Sequence, residues 1–334
     1  MVRRLSVLDQ SPISAGSTGA DALRHSIDLA RHVEGLGYHR YWVAEHHGTP
    51  MLASASPEAL IGPIASATSR LRVGSGGVML PHYSPLKVAE TFSMLSGLFP
   101  GRIDLGLGRA PGSDPLTAFA LQRDRRQAAP DDFPDQLHEL LAYVHDALPP
   151  QHQFAKLSRL PGRPEVPDVW LLGSSPQSGV WASALGLPYA FADFINPNGA
   201  DIVATYRRDL ESRTPNAESR VIVCAWALCA ETDEEAERLG ASARMAFAKM
   251  LQGQSIPVPP VDEAVRFLAA NGEAANALVR RRRWIVGSPS TVRAGLDALA
   301  DAYGADEVMI VTITHDHEAR RQSYALVARA FGIR

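Results

Sequence analysis

Several side chains suited to proton transfer or anion binding lie where predicted strands end. Glu45-His46-His47 follows the second predicted strand, and Arg109 follows the fourth. Other polar groups follow the third, fifth, sixth and last strands, namely His82 and Tyr83, Gly173-Ser174-Ser175, Asp193, and His315-Asp316-His317. The carboxyl ends of barrel strands meet at one rim, where active sites form. The sequence therefore predicts a site there, although loops are polar in most proteins.

An anion site is predicted where the segment Gly173-Ser174-Ser175-Pro176-Gln177-Ser178 leads from a strand into a helix. Free backbone N–H groups and the helix dipole attract anions at such a position, and the serine hydroxyls add donors. A plain serine N-cap would explain the same residues. Arg109 favours a phosphate, because its planar guanidinium matches phosphate oxygens.

Three glycines, Gly74, Gly76 and Gly77, interrupt a predicted strand over residues 72–80. Glycine weakens a strand, so it usually marks a bulge or the close approach of another group. A flat ring lying against the strand would account for these positions. A packing constraint inside the barrel is the alternative.

His46 and His47 are adjacent, so on an extended segment their side chains point in different directions. At most one of them faces the barrel axis, and either could be an ordinary loop histidine. A zinc site is the other alternative. The nearby histidines and carboxylates lack any standard ligand spacing, so no metal site is predicted. Cys224 and Cys229 are interpreted as packing residues on opposite faces of a strand.

Short apolar runs alternate with amphipathic helical stretches along the chain, which is typical of βαβ units with parallel strands. The predicted strands cover residues 5–8, 40–44, 72–80, 103–108, 169–173, 189–192, 221–228 and 307–311. Eight repeats favour a (β/α)8 TIM barrel over a doubly wound sheet, the α/β alternative. We expect one domain over residues 1–334, with insertions at about 110–167 and 252–283.

Composition limits the partners. The 334 residues include 33 Lys and Arg against 36 Asp and Glu, a formal net charge of −3 at pH 7, which argues against nucleic-acid binding. The run Arg280–Arg283 is therefore interpreted as a solvated or salt-bridged surface. Two cysteines cannot build a disulfide scaffold. No apolar stretch is long enough to span a bilayer, and no secretion signal is evident. A cytoplasmic protein without membrane partners is therefore predicted.

Five segments together resemble the bacterial luciferase-like flavin monooxygenase family, especially its shorter single-chain members. They are residues 42–47 (WVAEHH), 73–81 (VGSGGVMLP), 100–109 (PGRIDLGLGR), 170–175 (WLLGSS) and 286–289 (VGSP). Each segment is moderately specific, and their occurrence in this order is strongly so. The resemblance extends over nearly the whole chain.

This resemblance implies a barrel, usually dimeric, that binds reduced FMN at its C-terminal rim, often delivered by a separate flavin reductase. Oxygen would add to the flavin to give a C4a-hydroperoxide, which would oxygenate a small organic substrate. His46 matches the family's catalytic histidine and would hydrogen-bond the oxygenated flavin or act as a general base. The motifs match a non-prolyl cis peptide beneath the flavin ring to Gly76–Gly77, and the phosphate site to Arg109, Gly173, Ser174, Ser175 and Ser178.

Two alternatives stay open for the function. The same barrel could serve a deazaflavin coenzyme in hydride transfer without oxygen, or it could bind a flavin without turnover. The stretch Ala192-Asp193-Phe194-Ile195-Asn196-Pro197 departs from the Ser-His pair expected in many close relatives, which leaves the substrate side undefined. A second phosphate arginine is expected among Arg123, Arg125 and Arg126.

Overall fold

Apolar and β-branched runs form parallel strands that close into a barrel, as the sequence pattern predicts. The computed structural model describes residues 4–109, 114–127, 131–157, 166–215, 218–279 and 282–333. Its strands are β1 (Arg4–Asp9), β2 (Arg40–Val43), β3 (Arg72–Met79), β4 (Ile103–Gly108), β5 (Asp168–Gly173), β6 (Tyr189–Ala192), β7 (Val221–Cys229), β8 (Trp284–Gly287) and β9 (Glu307–Val311). Strands β1 to β7 pair in chain order, and β9 closes the ring between β7 and β1. The (β/α)8 barrel is thereby confirmed.

Helices surround this ring. They are α1 (Gly19–Gly35), α2 (Pro57–Ala67), α3 (Pro85–Leu98), α4 (Pro115–Leu121), α5 (Phe133–Val144), α6 (Pro176–Ala184), α7 (Ala200–Arg213), α8 (Asp233–Leu251), α9 (Val261–Val279), α10 (Pro289–Tyr303) and α11 (His317–Phe331). The N-caps follow the sequence: Thr18 and Asp21 form a capping box on α1, and Thr232 caps α8. Among the described helices, none combines the length and apolarity that a bilayer crossing needs.

The structure differs from the sequence prediction in the two expected insertions. Helices α4 and α9 lie within these insertions. Directly after the second insertion, the structure has a ninth strand at Trp284–Gly287 that the sequence analysis did not predict. Strand β7 is nine residues long, and β6 covers only its first four residues. Trp226 pairs with Val311 on one edge and with Trp284 on the other, so β8 occupies the edge that β6 leaves open.

Side chains alternate along the strands between two apolar layers. Those facing inward fill the barrel, where Trp42 of β2 and Trp170 of β5 meet edge to face with ring centroids 5.6 Å apart. Those facing outward join the apolar sides of the helices in a larger core. Cys224 belongs to the inner layer and Cys229 to the outer one, so both are buried packing residues, as predicted.

A buried charge network closes the N-terminal end of the barrel. The Arg40 guanidinium, only 3% exposed, lies 2.7 Å from both an Asp104 and a Glu307 carboxylate oxygen. The same Asp104 oxygen accepts the Trp42 indole N–H at 2.8 Å, while Arg72 donates to the other at 2.9 Å. The pKa of Arg40 is raised by these two carboxylates, whose attraction outweighs the opposing effect of burial. Every charged group in the network therefore has a partner, as burial requires.

Asp104→Asn is expected to lower the free energy of unfolding by about 3–5 kcal/mol, because it leaves Arg40 buried with one carboxylate in place of two. Urea unfolding followed by circular dichroism measures the loss. Arg24→Ala is the control, since its ion pair with Asp21 is largely exposed and contributes about 1 kcal/mol or less. Equal losses in the two variants would contradict the stabilising role of the buried network.

Candidate active site

The glycines of β3 permit an unusually close approach to β4. A Cβ atom at Gly74 would lie 2.5 Å from the Asp104 carbonyl oxygen, and one at Gly106 would lie 2.2 Å from the Ser75 carbonyl oxygen. The register of the two strands shifts between Gly76 and Val78, which is the bulge that the glycines indicate. The peptide bond between Gly76 and Gly77 is cis, which confirms the cis peptide that the family resemblance implies.

The bulge presents bare backbone inside the barrel. A Cβ at Gly76 would lie 2.6 Å from Cδ1 of Leu8 and 3.0 Å from Cβ of Trp42, both members of the inner apolar layer. A Cβ at Gly77 would lie 2.8 Å from the Gly106 carbonyl oxygen. Backbone without side chains therefore packs against Leu8, Trp42 and β4 near the C-terminal rim, as the alternative of a packing constraint predicts. Contact of Gly76 and Gly77 with a cofactor stays a prediction.

Glu45 ties together the loops that follow β2 and β3. Its carboxylate is fully buried and accepts hydrogen bonds from the Tyr83 hydroxyl at 3.0 Å, the Met79 backbone N–H at 3.0 Å and His47 Nε2 at 2.8 Å. The sequence analysis placed Glu45 at the rim but assigned it no hydrogen-bond partners. Its position directly after a buried strand could have indicated a structural carboxylate at the rim.

His46 follows Glu45 in the chain, and one of its ring nitrogens has no hydrogen-bond partner in the described parts of the chain. Its backbone N–H donates to the Ser54 carbonyl at 2.9 Å, whereas Nδ1 is buried and has no partner in the described parts of the chain. Burial, reinforced by the neighbouring His47, lowers the pKa of His46 to about 4. The ring is therefore neutral near pH 7 and can take part in a hydrogen bond without carrying charge. Among the described residues, no three His, Cys, Asp or Glu side chains converge as metal ligands.

The serine-rich turn between β5 and α6 is built on Gly173. A Cβ there would lie 2.1 Å from Ser178 Oγ, so glycine allows the first turn of α6 to pack against the strand end. The Ser178 hydroxyl donates to the Ser175 carbonyl at 2.6 Å and lies 2.7 Å from the Tyr189 hydroxyl, which places it inside the protein. Ser175 is exposed and its side chain makes no capping bond, and Ser174 is half-buried. Their role, like that of Gly173 and Ser178, in phosphate binding stays a prediction.

Arg109 lies beside α6. Its guanidinium carbon is 5.5 Å from the ring centroid of Trp181 in that helix, and one of its nitrogens is 3.9 Å from an Asp131 carboxylate oxygen. About half of the side chain is exposed, so the group is accessible to an anion. The three later arginines make bonds within their own segment: Arg123 to Asp132, Arg125 to the Ala120 carbonyl, and Arg126 to Asp124.

An aromatic wall, which we define as Phe194, Trp226 and Trp284, lines the mouth of the barrel on the β7 side. Trp226 and Trp284 stack with ring centroids 5.2 Å apart, and Phe194 meets Trp226 edge to face at 6.1 Å. All three are partly buried and pack on the inner apolar layer. Four strand steps separate β3 from β7 in either direction around the eight-stranded ring, so this wall lies opposite the Gly76–Gly77 surface.

The arginine run holds the loop behind this wall. Arg283 donates to Asp193 at 3.1 Å and to the Pro197 carbonyl at 2.8 Å, while Arg282 donates to the Phe194 carbonyl at 2.9 Å. Burial raises the pKa of Asp193, although the Tyr303 hydroxyl and Arg283 act in the opposite direction. The predicted salt-bridged surface is confirmed for Arg283, whereas Arg280 and Arg281 lie outside the described residues.

The sequence pattern that defines luciferase-like monooxygenases matches residues 4–306. The chain belongs to this family. It is 40% identical to the luciferase-like monooxygenase of Escherichia coli (strain K12), covering 96% of this chain and 95% of that protein. It is 37% identical to the N-acetyl-S-alkylcysteine monooxygenase of Bacillus subtilis (strain 168), covering 98% of each. The crystal structure of apo-MsnO8, 42% identical, superposes with a TM-score of 0.91 over 99% of both chains.

Family membership agrees with the resemblance drawn from the five sequence segments and supports an oxidoreductase. Four of the five sequence segments that carried the resemblance lie at or near the rim described above: the end of β2, the glycines of β3, the end of β4 and the turn after β5. The fifth, residues 286–289, joins β8 to α10. The luciferase-like monooxygenase fold brings Glu45 against the backbone of Met79, two residues after Gly77, and it sets Arg109 beside the helix that follows the serine turn. His46 follows Glu45 in the loop after β2, the strand that pairs with β3.

Gly77→Ala is expected to destabilise the protein by about 1–3 kcal/mol, because the new methyl group would meet backbone atoms of Gly106 that cannot rotate away. Gly35→Ala is the matched control. A Cβ there has no atom within 4 Å, and alanine favours the end of helix α1. Denaturant unfolding of both variants measures the difference. A Gly77→Ala protein as stable as wild type would show that the bulge tolerates a side chain.

His46→Gln is expected to make stability less sensitive to acid. The unfolded chain takes up a proton on this ring with an ordinary pKa of about 6.5, whereas the folded chain does so only near 4, so acid favours unfolding. Between pH 7.5 and pH 5 this difference removes about 2 kcal/mol from the wild type that the variant retains. Urea unfolding at the two pH values measures it. Burial also lowers the pKa of His32 and His39, but these residues contribute equally to both proteins.

Proposed function

We propose that this chain is an FMN-dependent monooxygenase that uses reduced FMN and O2 to oxygenate a small organic substrate. The observation that carries the proposal is the Gly76–Gly77 segment without side chains near the barrel rim, together with a neutral histidine that has an unused ring nitrogen in the loop after the neighbouring strand β2. A flat ring needs a flat surface without side chains, and an uncharged donor or acceptor beside it suits oxygen chemistry. Family membership supports the same reaction class.

The residues of the rim fit FMN in two places. The flavin ring would lie against Gly76 and Gly77, where any Cβ would collide with neighbouring atoms. The phosphate would lie at the serine turn, held by Arg109 together with the backbone of Gly173 and the backbone and hydroxyl groups of Ser174 and Ser175. Ser178, whose hydroxyl donates to the Ser175 carbonyl, would support this turn from inside the protein. A phosphate at the N-terminal end of α6 gains from the helix dipole, and Arg109 supplies a charge-assisted bond.

Bound reduced FMN would supply the two electrons of the reaction and the site at which O2 is activated. The chain's own residues would orient the reactants and exclude water. His46, neutral near pH 7, would donate a hydrogen bond next to the reactive edge of the ring, and its pKa near 4 favours this role over that of a base. The organic substrate would lie between the ring and the aromatic wall opposite, which favours an apolar molecule.

Two further features are predictions of the family resemblance: a separate flavin reductase that delivers the cofactor, and a homodimer. A cytoplasmic location stays a prediction from the sequence pattern. The proposed reaction needs only a small-molecule substrate, O2 and reduced FMN as diffusible partners.

Arg109→Ala is expected to weaken binding of reduced FMN about tenfold or more and to leave binding of reduced riboflavin, which lacks the phosphate, unchanged. Anaerobic titration followed by protein fluorescence measures both affinities. Arg238→Ala, which removes one exposed charge from α8, is the matched control and should change neither. Equal weakening for both flavins would mean that Arg109 does not contact the phosphate.

The proposed function itself is tested by anaerobic titration of the wild-type chain with reduced FMN, followed by mixing with O2. Saturable binding and oxygen-dependent return of oxidised flavin, with an oxygenated product from an apolar substrate, would support it. Binding of a deazaflavin coenzyme in place of FMN would contradict it and favour hydride transfer. Binding without any product across an apolar substrate panel would favour a flavin-binding protein.

A further inference from the structure

The loop between β6 and α7, residues 193–199, touches both halves of the proposed site. Asn196 donates from its side-chain Nδ2 to the Ser174 carbonyl in the serine turn, at 2.9 Å. Two residues earlier, Phe194 belongs to the aromatic wall and meets the Trp226 ring at 6.1 Å. The sequence analysis noted this stretch only as a departure from an expected Ser-His pair. In the structure it connects the serine turn directly to the wall.

We propose that Asn196 is a positioning residue that couples the flavin phosphate to the aromatic wall, so that a phosphate and an apolar substrate each strengthen the binding of the other. The proposal rests on the proposed function, since the phosphate at the serine turn is part of it. Asn196 acts through the Ser174 peptide on one side and through its own loop on the other.

Both ends of the Asn196 amide are engaged. Nδ2 donates to the Ser174 carbonyl, and Oδ1 accepts the Asn198 backbone N–H at 3.1 Å. With the amide turned over, Oδ1 would face the Ser174 carbonyl oxygen and Nδ2 would face an N–H group, so both bonds would be lost. The two bonds together therefore determine that the donor end holds the Ser174 carbonyl.

This bond orients the peptide between Ser174 and Ser175. The C=O and N–H of a trans peptide point in opposite directions. Strand β5 lies between β4 and β6, so the loop after β6 and Arg109 after β4 are on opposite sides of the serine turn. Because Asn196 holds the Ser174 carbonyl on the β6 side, the Ser175 N–H points toward the Arg109 side. It makes no hydrogen bond in the described parts of the chain and is available to a phosphate oxygen.

A tight backbone turn links Asn196 to the wall. The Ala192 carbonyl accepts the N–H groups of Ile195 at 3.0 Å and of Asn196 at 3.1 Å. Between them, the Phe194 N–H donates to the Cys224 carbonyl of β7 at 3.2 Å. Phe194 and Asn196 therefore belong to one hydrogen-bonded unit, and a shift of one is transmitted to the other.

The coupling has a definite sign. A ligand at the serine turn or at the wall restricts the motion of this loop, so the second ligand meets a loop that is already ordered and binds more tightly. Coupling between two sites is reciprocal, which means that each ligand raises the affinity for the other by the same factor. We expect a factor of about five, at the lower end for linked sites.

The first readout needs neither flavin nor substrate. It is fluorine NMR of the chain labelled with 5-fluorotryptophan, with inorganic phosphate added at constant ionic strength. Trp181 lies beside Arg109 and reports occupancy of the phosphate site, whereas Trp226 packs on Phe194 and reports the wall. The two signals are identified by their loss in Trp181→Phe and Trp226→Phe. We expect phosphate to shift both signals in wild type and that of Trp181 alone in Asn196→Ala.

The second readout is the affinity for reduced FMN and for reduced riboflavin. Asn196→Ala is expected to weaken FMN binding about fivefold and to change riboflavin binding less than about twofold. Asn196→Asp keeps the acceptor for the Asn198 N–H but cannot donate to Ser174, so it should weaken FMN binding at least as much. Asn271→Ala is the matched control, because its amide donates to the Phe267 carbonyl at an exposed position.

The third readout is the reciprocal effect on an apolar ligand. Isothermal titration calorimetry with 2-naphthol, a flat and mainly apolar probe, is carried out with and without saturating inorganic phosphate. We expect phosphate to tighten 2-naphthol binding about fivefold in wild type and less than about twofold in Asn196→Ala. Failure of phosphate to change the affinity in wild type, or of 2-naphthol to bind at all, would overturn the coupling.

The outcomes separate this proposal from the function on which it rests. Failure of the wild-type chain to bind reduced FMN would overturn both. Normal FMN binding with a phosphate-induced shift at Trp181 but none at Trp226, or with no shift at either, would overturn the coupling alone. So would a Trp226 shift that persists in Asn196→Ala and Asn196→Asp, or equal weakening of FMN and riboflavin binding in these variants. The wild-type spectrum decides the matter even if neither variant folds.

Discussion

The close contact between β3 and β4 is the constraint on which the rest of the site depends. Carbonyl oxygens of one strand occupy the space that side chains on the other would need, so Gly74, Gly77 and Gly106 are required for the barrel to close there. The same closeness produces the bulge and leaves bare backbone at the rim. One packing requirement of the barrel therefore determines the backbone on which the proposed flavin ring would lie.

The two ends of the barrel use buried charge differently. At the N-terminal end, Arg40 lies between Asp104 and Glu307, so charges cancel and the network stabilises the ring. At the C-terminal end, Glu45 accepts three hydrogen bonds but has no arginine or lysine partner in the described parts of the chain. Its carboxylate charge is therefore available to a neighbouring histidine. The stabilising network and the rim where the proposed chemistry would occur are at opposite ends, as in other barrels of this kind.

The sequence predicted the ring because its strands are apolar runs with a helix after each. It also predicted the Gly76–Gly77 cis bond through the family motifs. It did not predict β8, because four residues next to an arginine run carry little periodicity. It also did not predict the hydrogen bonds that Glu45 accepts from Tyr83 and Met79. Hydrogen bonds from Tyr83 and Met79 span more than thirty positions along the chain, and no local pattern encodes them. The engagement of Ser178 with Tyr189 was missed for the same reason.

The ninth strand has a consequence for how this protein could diversify. Strand β8 pairs only with the final four residues of β7 and contributes nothing to closure of the eight-stranded ring. Trp284 nevertheless forms part of the wall that faces the barrel mouth. A change in length or composition here would alter the shape of the mouth while every hydrogen bond of the ring remained in place. The shape of the barrel mouth can therefore evolve at this strand independently of the structural integrity of the barrel.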